Sequence, residues 1–312
     1  MTIAETSTIT ETSTITITPQ SPTIGALIEG VDLREDVRDD VVAEIREALL
    51  RWKVLFFRDQ DLDPPEHLAF SRKFGELEVH PFAAGHPEHP EVLMISHDAE
   101  HPGFENVWHS DVTWRLAPSL GSVLKVSQVP PIGGDTLFAD MGAAYDGLPE
   151  SVKERVDGAV ARHDFPGFRR RMKANGATDE QLADFDREYP NPHHPVIRTH
   201  PETGRRSINV NAAFTQEIVG WEPETSRAML DLLQRQAATP EYQCRFRWEP
   251  NSIAFWDNRA CQHYASSDYH PHTRTAQRVT IIGDEPYFDP DQPVTMTDGS
   301  PFKGVVELRA QA

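Results

Sequence analysis

Cysteine is nearly absent from this chain of 312 residues, which contains only Cys244 and Cys261. The two are not spaced as a CxxC pair, so the sequence offers neither a disulfide framework nor a cysteine-rich metal site. We predict two reduced thiols in a protein of the cytoplasm.

Positive charge is also scarce. The chain has 30 lysines and arginines against 49 aspartates and glutamates, which gives a formal net charge of −19. Nucleic acids and anionic membranes are bound by clustered cations, so this balance argues against both kinds of partner. A local basic pocket for a small anion remains compatible with it.

Long apolar runs and nucleotide-binding fingerprints are missing as well. No stretch approaches the roughly 18 apolar residues of a membrane-spanning helix. The first residues also lack the basic start and apolar run of a signal peptide. Neither GxGxxG nor GxxxxGKS/T occurs. We therefore expect a cytoplasmic protein without either of these nucleotide sites.

The chain begins with a Thr/Ser-rich leader in which the hexamer ETSTIT occurs in tandem, at 5–10 and 11–16. Such a segment has few large side chains to bury. We predict a disordered tail over residues 1–20, with a short edge strand of alternating Ile and Thr as the alternative. A single domain is predicted over 21–290 and a C-terminal extension over 291–312.

Periodic patterns begin after the leader. Apolar residues from Val37 to Trp52 recur every three or four positions and predict an amphipathic helix, while VLFF at 54–57 predicts a buried strand. DPPE at 63–66 has the capping-box pattern that starts a helix, here running to Phe74.

Short β-rich segments dominate the remainder. Predicted strands lie at 91–96, 122–129, 135–139, 206–211, 243–248, 252–257 and 277–283, and predicted helices near 150–160, 178–188 and 223–237. The 25 prolines of the chain separate many of these short strands. The pattern favours a mainly β fold with flanking helices, a sandwich or jelly roll, over a βαβ fold.

WHSDVTW at 108–114 contains a candidate site for chemistry. His109 and Asp111 are two residues apart, and on a strand such residues point to the same face, about 7 Å apart. Both could therefore reach one ion. An alternating, half-exposed strand explains the same pattern without a ligand, so the pair alone does not decide between the two.

The block at 256–286 adds His263 and two arginines, Arg274 and Arg278. Two histidines and one carboxylate form the facial set that holds Fe(II) and leaves coordination positions open for a chelating cosubstrate and O₂. A nearby arginine can bind the far carboxylate of a dicarboxylic acid in bidentate fashion.

Together these motifs resemble the taurine dioxygenase family of Fe(II)/2-oxoglutarate oxygenases. The motifs are HSD at 109–111, GGDT at 133–136, WDN at 256–258, QHYA at 262–265, and the arginines Arg274 and Arg278 downstream of His263. The similarity runs from about residue 22 to residue 288 and includes IGALIEGVDLRE, LAFSRKFGELEVHP and HHPVIRTHPETGRR.

The resemblance implies a double-stranded β-helix, a cupin-like jelly roll, in which His109, Asp111 and His263 bind Fe(II). It also implies that 2-oxoglutarate chelates the metal while Arg274 and Thr136 hold its far carboxylate, which would be costly to bury alone. Oxidative decarboxylation by O₂ then gives succinate and CO₂ and hydroxylates a substrate C–H bond. A homo-oligomer, a dimer or a tetramer, is also implied.

The resemblance further suggests how a substrate is held. In sulfonate-using members a histidine and the second arginine bind the anion, and the matching residues are His80 and Arg278. Taurine-specific members have a tyrosine and an asparagine where this chain has Ala83 and Glu105. Glu105 either pairs with an ammonium group or is a solvated loop acid. Phe165 either lines the substrate pocket or packs in the core.

The sequence thus predicts a dioxygenase that acts on a small anionic molecule. The leading candidate is taurine or another alkanesulfonate, from which the reaction would release sulfite and an aldehyde. Alkyl sulfate esters, phenoxyalkanoates and an amino-acid-like biosynthetic substrate are alternatives within the same chemistry. Two alternatives come from other classes. One is a zinc hydrolase using the same three ligands, and the other is a non-catalytic 2-oxoglutarate-binding protein.

Overall fold

A computed structural model of the chain describes residues 15–83, 85–103 and 105–295. Its α-helices are α1 (Asp39–Trp52), α2 (Pro64–Arg72), α3 (Met141–Asp146), α4 (Glu150–Val156), α5 (Pro166–Ala174), α6 (Asp179–Glu188) and α7 (Pro223–Arg235). Its strands are β1 (Thr16–Pro19), β2 (Ala26–Glu29), β3 (Val54–Phe57), β4 (Val92–His97), β5 (Gly121–Gln128), β6 (Thr136–Asp140), β7 (Val160–His163), β8 (His193–Pro195), β9 (Ile197–Thr199), β10 (Arg206–Ile208), β11 (Thr215–Ile218), β12 (Gln243–Phe246), β13 (Ser252–Asp257), β14 (Cys261–Ala265) and β15 (Arg274–Ile281).

The strands form one large sheet and three small ones. The large sheet has the order β1-β2-β3-β13-β5-β15-β4, and a three-stranded sheet has the order β12-β6-β14. The remaining sheets are β11-β7-β8 and β10-β9. Neighbouring strands are antiparallel except β2 and β3. Antiparallel pairing across the rest of the large sheet and across β12-β6-β14 is typical of a jelly roll.

Aromatic side chains fill the space between the two main sheets. Phe56 of β3 stacks on Phe246 of β12 with ring centroids 4.0 Å apart, and Phe138 of β6 contacts both Phe56 and Trp256. The opposite face of the large sheet is covered by α1 and α2, whose apolar residues pack against Leu55 and other residues of β3, β13 and β5. The predicted mainly β fold with flanking helices is confirmed.

Burial on both faces explains why VLFF is apolar throughout. All residues of β3 and β13 are buried, the pattern of strands covered on both sides. The capping box of α2 is also as predicted, because the Asp63 side chain accepts a bond from the Glu66 amide and the Glu66 side chain accepts one from the Asp63 amide. The helices α3 and α5 were not predicted.

The last strand begins earlier than the sequence pattern indicates. It starts at Arg274 instead of residue 277 and pairs with both β4 and β5. Arg274 and Arg278 therefore lie on one strand, four residues apart, and point to the same face. This register brings both arginines to the interior of the fold.

The predicted disordered tail is wrong for residues 16–19, which form the short edge strand named as the alternative. Thr16–Pro19 form β1 and pair with β2, from Thr16 opposite Glu29 to Pro19 opposite Ala26. The adjacent Ile15 is buried in the core, which anchors this edge strand. Residues 1–14 lie outside the described residues, as do residues 296–312 of the predicted C-terminal extension. The start of that extension contacts the body through the bond from Thr295 N to Thr203 O. The single-domain division stays a prediction.

No helix in residues 15–83, 85–103 and 105–295 is long and apolar enough to cross a membrane.

Candidate active site

The two candidate histidine ligands, His109 and His263, lie opposite each other where two chain segments pair. The His109 amide donates to the His263 carbonyl at 3.1 Å, and the His263 amide donates to the His109 carbonyl at 2.8 Å. Segment 108–114 is not a strand, however, because the chain turns at Asp111. The expectation that His109 and Asp111 share a strand face is therefore wrong. The bridge and the turn, not strand alternation, bring the side chains together.

The side chains of His109, Asp111 and His263 converge, and one ligand atom from each lies within 4.8 Å of the others. Asp111 Oδ1 is 3.7 Å from His109 Nε2 and 3.9 Å from His263 Nε2. All three residues are buried. Two imidazole nitrogens and one carboxylate this close together in a buried site fit a divalent transition metal, with coordination positions left open.

The protonation of these groups suits metal binding. His109 Nδ1 lies 2.8 Å from the Val107 carbonyl, which assigns the ring proton to Nδ1 and leaves the Nε2 lone pair for a metal. Burial and the neighbouring His109 lower the pKa of His263 to about 3. Burial opposes ionisation of Asp111, but Arg278 and the two histidines hold the pKa of its carboxyl well below its usual range. Asp111 and His263 therefore need no proton removal at neutral pH before they bind a cation.

Arg274 and Thr136, the residues predicted to hold 2-oxoglutarate, are joined through Trp248. The indole Nε1 donates to Thr136 Oγ1 at 3.0 Å, so the hydroxyl proton is left to donate elsewhere. The Arg274 guanidinium lies 5.6 Å from the Trp248 ring centroid. Arg274 is 6 % exposed, and its Nε and Nη2 have no hydrogen-bond partner among the described residues. A buried cation with two unused donors fits a carboxylate.

A large cavity opens beside the proposed metal ligands. Its volume is about 1220 Å³, and its wall includes His109, Asp111 and the four predicted substrate residues, His80, Glu105, Phe165 and Arg278. His263, Arg274 and Thr136 do not line it. The structure thus places the four predicted substrate residues in one cavity, beside two of the three proposed metal ligands.

His80 presents a hydrogen-bond donor to this cavity. Its Nδ1 accepts bonds from the amides of Phe82 and Ala83, both at 3.1 Å, which assigns the ring proton to Nε2. Burial and the charge of Arg278 lower the pKa of His80 to about 4. A neutral imidazole N–H next to an arginine can donate to an anion without adding a second charge.

Glu105 is engaged with a neighbouring histidine. Its Oε1 lies 3.2 Å from His97 Nε2, and its carboxylate is about one third exposed. The carbonyl of Glu105 also accepts a bond from the Ala265 amide. Glu105 therefore lines the cavity and has a partner inside the protein. The sequence alone did not decide whether it contacts a substrate or is a solvated loop acid.

An aromatic wall lines part of the cavity and was not predicted, apart from Phe165. Phe165 stacks on Trp114 with centroids 5.7 Å apart, and Phe82 contacts Phe168 at 4.1 Å. A third contact, between Phe82 and Phe185, adds α6. Together these contacts join α5 and α6 to the loop after α2 and to the turn after Asp111, so no local pattern could have revealed them. The lining aromatic residues are Phe82, Trp114, Phe165, Phe168, Phe185, Tyr189 and Phe214.

A jelly roll that holds two histidines and a carboxylate beside a substrate-sized cavity is the architecture expected of a non-haem iron oxygenase. The model of the taurine catabolism dioxygenase family (TauD, TfdA family) matches residues 16–280. The chain belongs to this family.

Individual proteins similar to this chain include a solved structure and two enzymes that act on sulfate esters by name. A taurine dioxygenase structure from Burkholderia xenovorans is 39% identical, with a TM-score of 0.77 over 93% of this chain and 96% of that one. The alkylsulfatase of Acinetobacter baylyi is 32% identical over 266 residues, which cover 84% of this chain and 83% of the relative. The alpha-ketoglutarate-dependent sulfate ester dioxygenase of Pseudomonas putida is 34% identical over 278 residues, 86% of this chain and 90% of the relative.

The protein is a 2-oxoglutarate-dependent dioxygenase, with Fe(II), 2-oxoglutarate (alpha-ketoglutarate) and O₂ as its cofactors and cosubstrates. The zinc hydrolase and the non-catalytic binding protein are therefore not retained as alternatives. It acts on a small molecule.

Proposed function

We propose that this dioxygenase hydroxylates the carbon next to the sulfur-containing head of an organic anion with a long apolar tail. The head is a sulfonate or a sulfate ester, two groups that end in the same anionic oxygens. The aromatic wall carries this proposal, because it gives the cavity more apolar surface than a two-carbon substrate such as taurine can cover.

The positions of the side chains support the residue roles that we propose. His109, Asp111 and His263 would hold Fe(II), and Arg274 with Thr136 would hold the far carboxylate of 2-oxoglutarate. Arg278 and the Nε2–H of His80 would bind the anionic head of the substrate. When bound, the iron and 2-oxoglutarate supply the oxidising chemistry with O₂. The chain's own contribution is to bind, to orient and to exclude water.

The reaction balances as one C–H bond, O₂ and 2-oxoglutarate converted to C–OH, succinate and CO₂. Hydroxylation next to a sulfonate gives a product that collapses to an aldehyde and sulfite, and hydroxylation next to a sulfate ester oxygen gives an aldehyde and sulfate. The product anion therefore distinguishes the two heads.

The size of the cavity supports a tail of several carbons or an aryl ring. Ligand pockets for small molecules usually have volumes of about 300–1,000 Å³ and mostly apolar walls, and this cavity exceeds that range. Ala83 stands where taurine-specific members have a tyrosine, and it leaves space near Phe82. Glu105 is paired with His97, which weakens the case for a substrate ammonium group.

The test is a chain-length series. Protein reconstituted with Fe(II) without air would be exposed to O₂ and 2-oxoglutarate with taurine, alkanesulfonates or alkyl sulfates of increasing length. Each buried methylene contributes roughly 0.8 kcal/mol, so we expect kcat/KM to rise about fourfold per carbon until the cavity is filled. Succinate, sulfite and sulfate would be quantified together.

A variant of the aromatic wall provides the matched comparison. Phe168→Ala should reduce the increase in kcat/KM per carbon. Phe288→Ala should not, because Phe288 is a partly buried aromatic residue outside the cavity. Taurine turning over faster than an octyl substrate would overturn the proposed tail. Succinate without sulfite or sulfate would redirect the search to carboxylates, beginning with phenoxyalkanoates, whose ring the same aromatic wall would accept. The dimer or tetramer and the cytoplasmic location stay predictions.

A further inference from the structure

Asn258 holds both peptide groups of Asp111. It follows β13 directly, is 5 % exposed and points its side chain at the turn that carries the proposed metal-binding carboxylate. Its Oδ1 accepts the Asp111 amide at 2.6 Å, and its Nδ2 donates to the carbonyls of Asp111 at 3.0 Å and Ser119 at 3.2 Å. A neutral side chain needs an acceptor and two donors to make these three bonds, and an amide supplies them.

The support of Asn258 is itself rigid. Its amide donates to the Leu120 carbonyl at 2.8 Å, and it continues a strand whose residues are all buried and paired with β3 and β5. Asn258 therefore fixes the backbone of Asp111 relative to the buried strand β13.

The turn at Asp111 has an unfavourable backbone. Val112 has a φ of 49°, a left-handed conformation that β-branched residues rarely adopt. Such a residue persists only where the surroundings hold it. Asn258 supplies part of that hold on one side. On the other side the Thr113 hydroxyl accepts a bond from Asn211 Nδ2 at 3.0 Å.

We propose that Asn258 is a positioning residue for metal binding. Asn258 fixes the backbone of Asp111 in this strained turn. It thereby keeps the Oδ1 atom of Asp111 directed at the Nε2 atoms of His109 and His263. The contacts of Ser122 and Arg278 restrain the carboxylate, but they do not hold the backbone that carries it. The inference rests on the proposed role of Asp111 as a metal ligand.

The first test measures metal affinity instead of turnover. Co(II) would be titrated into the full-length protein without air, and its visible absorption bands would report binding. Asn258→Ala should weaken Co(II) binding about 10–100-fold, the usual cost of losing a residue that orients a ligand. Asn209→Ala is the matched control, because Asn209 is half-buried and donates to the Pro195 carbonyl, away from the site. It should bind Co(II) like the native protein.

Asn258→Asp separates positioning from simple packing. Asp has nearly the same volume and keeps an acceptor for the Asp111 amide, but it places an oxygen against the carbonyls of Asp111 and Ser119. We expect a loss of Co(II) affinity as large as that of Asn258→Ala. Affinity equal to that of the native protein in both variants would overturn the proposal.

Val112→Gly tests the role of the strained turn. Glycine adopts positive φ without strain, so the turn should depend less on Asn258. Asn258→Ala should therefore cost less Co(II) affinity in the Val112→Gly background than in the native one. An equal cost in both backgrounds would contradict the strain argument. Asp111→Ala identifies the other failure: if that variant binds Co(II) normally, the proposed metal site is wrong and the inference falls with it.

Discussion

Arg278 Nη1 donates a hydrogen bond of 3.0 Å to Oδ1 of Asp111, the same oxygen that faces the two imidazoles. The arginine also lines the substrate cavity. One guanidinium therefore touches the proposed metal-binding carboxylate and the space in which the substrate anion would lie. Substrate binding and the charge at the metal site are expected to be linked through this residue.

Arg278→Ala should impair use of the anionic substrate far more than binding of 2-oxoglutarate. A hydrogen bond to a charged group contributes roughly 1.5–3 kcal/mol, so we expect kcat/KM for the substrate to fall about 10–100-fold. Steady-state succinate assays and a separate titration of 2-oxoglutarate would distinguish the two effects. Arg162→Ala, which removes a surface ion pair with Glu217, serves as the control. An unchanged kcat/KM would remove Arg278 from the substrate site.

Arg274→Ala should have the complementary effect. The buried guanidinium has unused donors, so its loss should raise the KM for 2-oxoglutarate by roughly 100-fold. Thr136→Val should raise it less, because Val removes one hydroxyl and keeps the shape. The measurement is the KM for 2-oxoglutarate at saturating substrate. If Thr136→Val had the larger effect, the assignment of Arg274 as the main carboxylate partner would be incorrect.

Ala83→Tyr should narrow the cavity beside Phe82. The added ring would occupy volume available to an apolar tail, so kcat/KM should fall for long alkyl substrates and change little for short ones. The ratio of the two within the same variant corrects for differences in metal loading. A uniform decrease at all chain lengths would show that residue 83 does not limit the tail.

Protein stability should fall as the pH drops below about 6.5. His67 on α2 is fully buried, with Nε2 3.0 Å from the Val123 carbonyl. Burial lowers the pKa of His67 to about 4 from an ordinary value of 6.5. Between these values the unfolded chain binds a proton that the folded chain does not, so the free energy of unfolding decreases with decreasing pH. One such histidine contributes roughly 3 kcal/mol across this window.

His67→Gln keeps a donor for the Val123 carbonyl and removes the titration. Urea unfolding between about pH 4.5 and pH 6 should show a slope smaller than that of the native protein by up to one proton. Near pH 7 to 8 the two curves should run parallel, since His67 is neutral in both states there. Burial also lowers the pKa values of His163 and His194, so the native protein should retain part of its slope. Equal slopes in the two proteins would contradict a buried neutral His67.

Local patterns predicted much of the fold. Regular apolar spacing located α1, and the DPPE pattern located the start of α2, because both signals depend on neighbours in sequence. The turn at Asp111 escaped prediction because its geometry depends on Asn258, which lies 147 positions away along the chain. The strand β1 was predicted only as the alternative to a disordered tail, because its pairing with β2 and the burial of Ile15 are tertiary contacts.

The site shows the same division. The chemistry of His109, Asp111 and His263 could be proposed from residue types, and their convergence appears in the structure. The aromatic wall could not be proposed, because Phe82, Phe168 and Tyr189 come from three separate segments. Their rings meet only when α5 and α6 fold back over the loop that follows α2.

The two sides of the active site rest on supports of different strength. Asp111 is tied to β13, every residue of which is buried, whereas α5 has no buried residue and α6 has only Phe185. Substitutions on these two helices should therefore be tolerated far better than substitutions near β13. Substitutions on α5 and α6 can therefore change the substrate range while the proposed iron site is preserved. A library of variants restricted to these two helices is the most direct way to alter specificity.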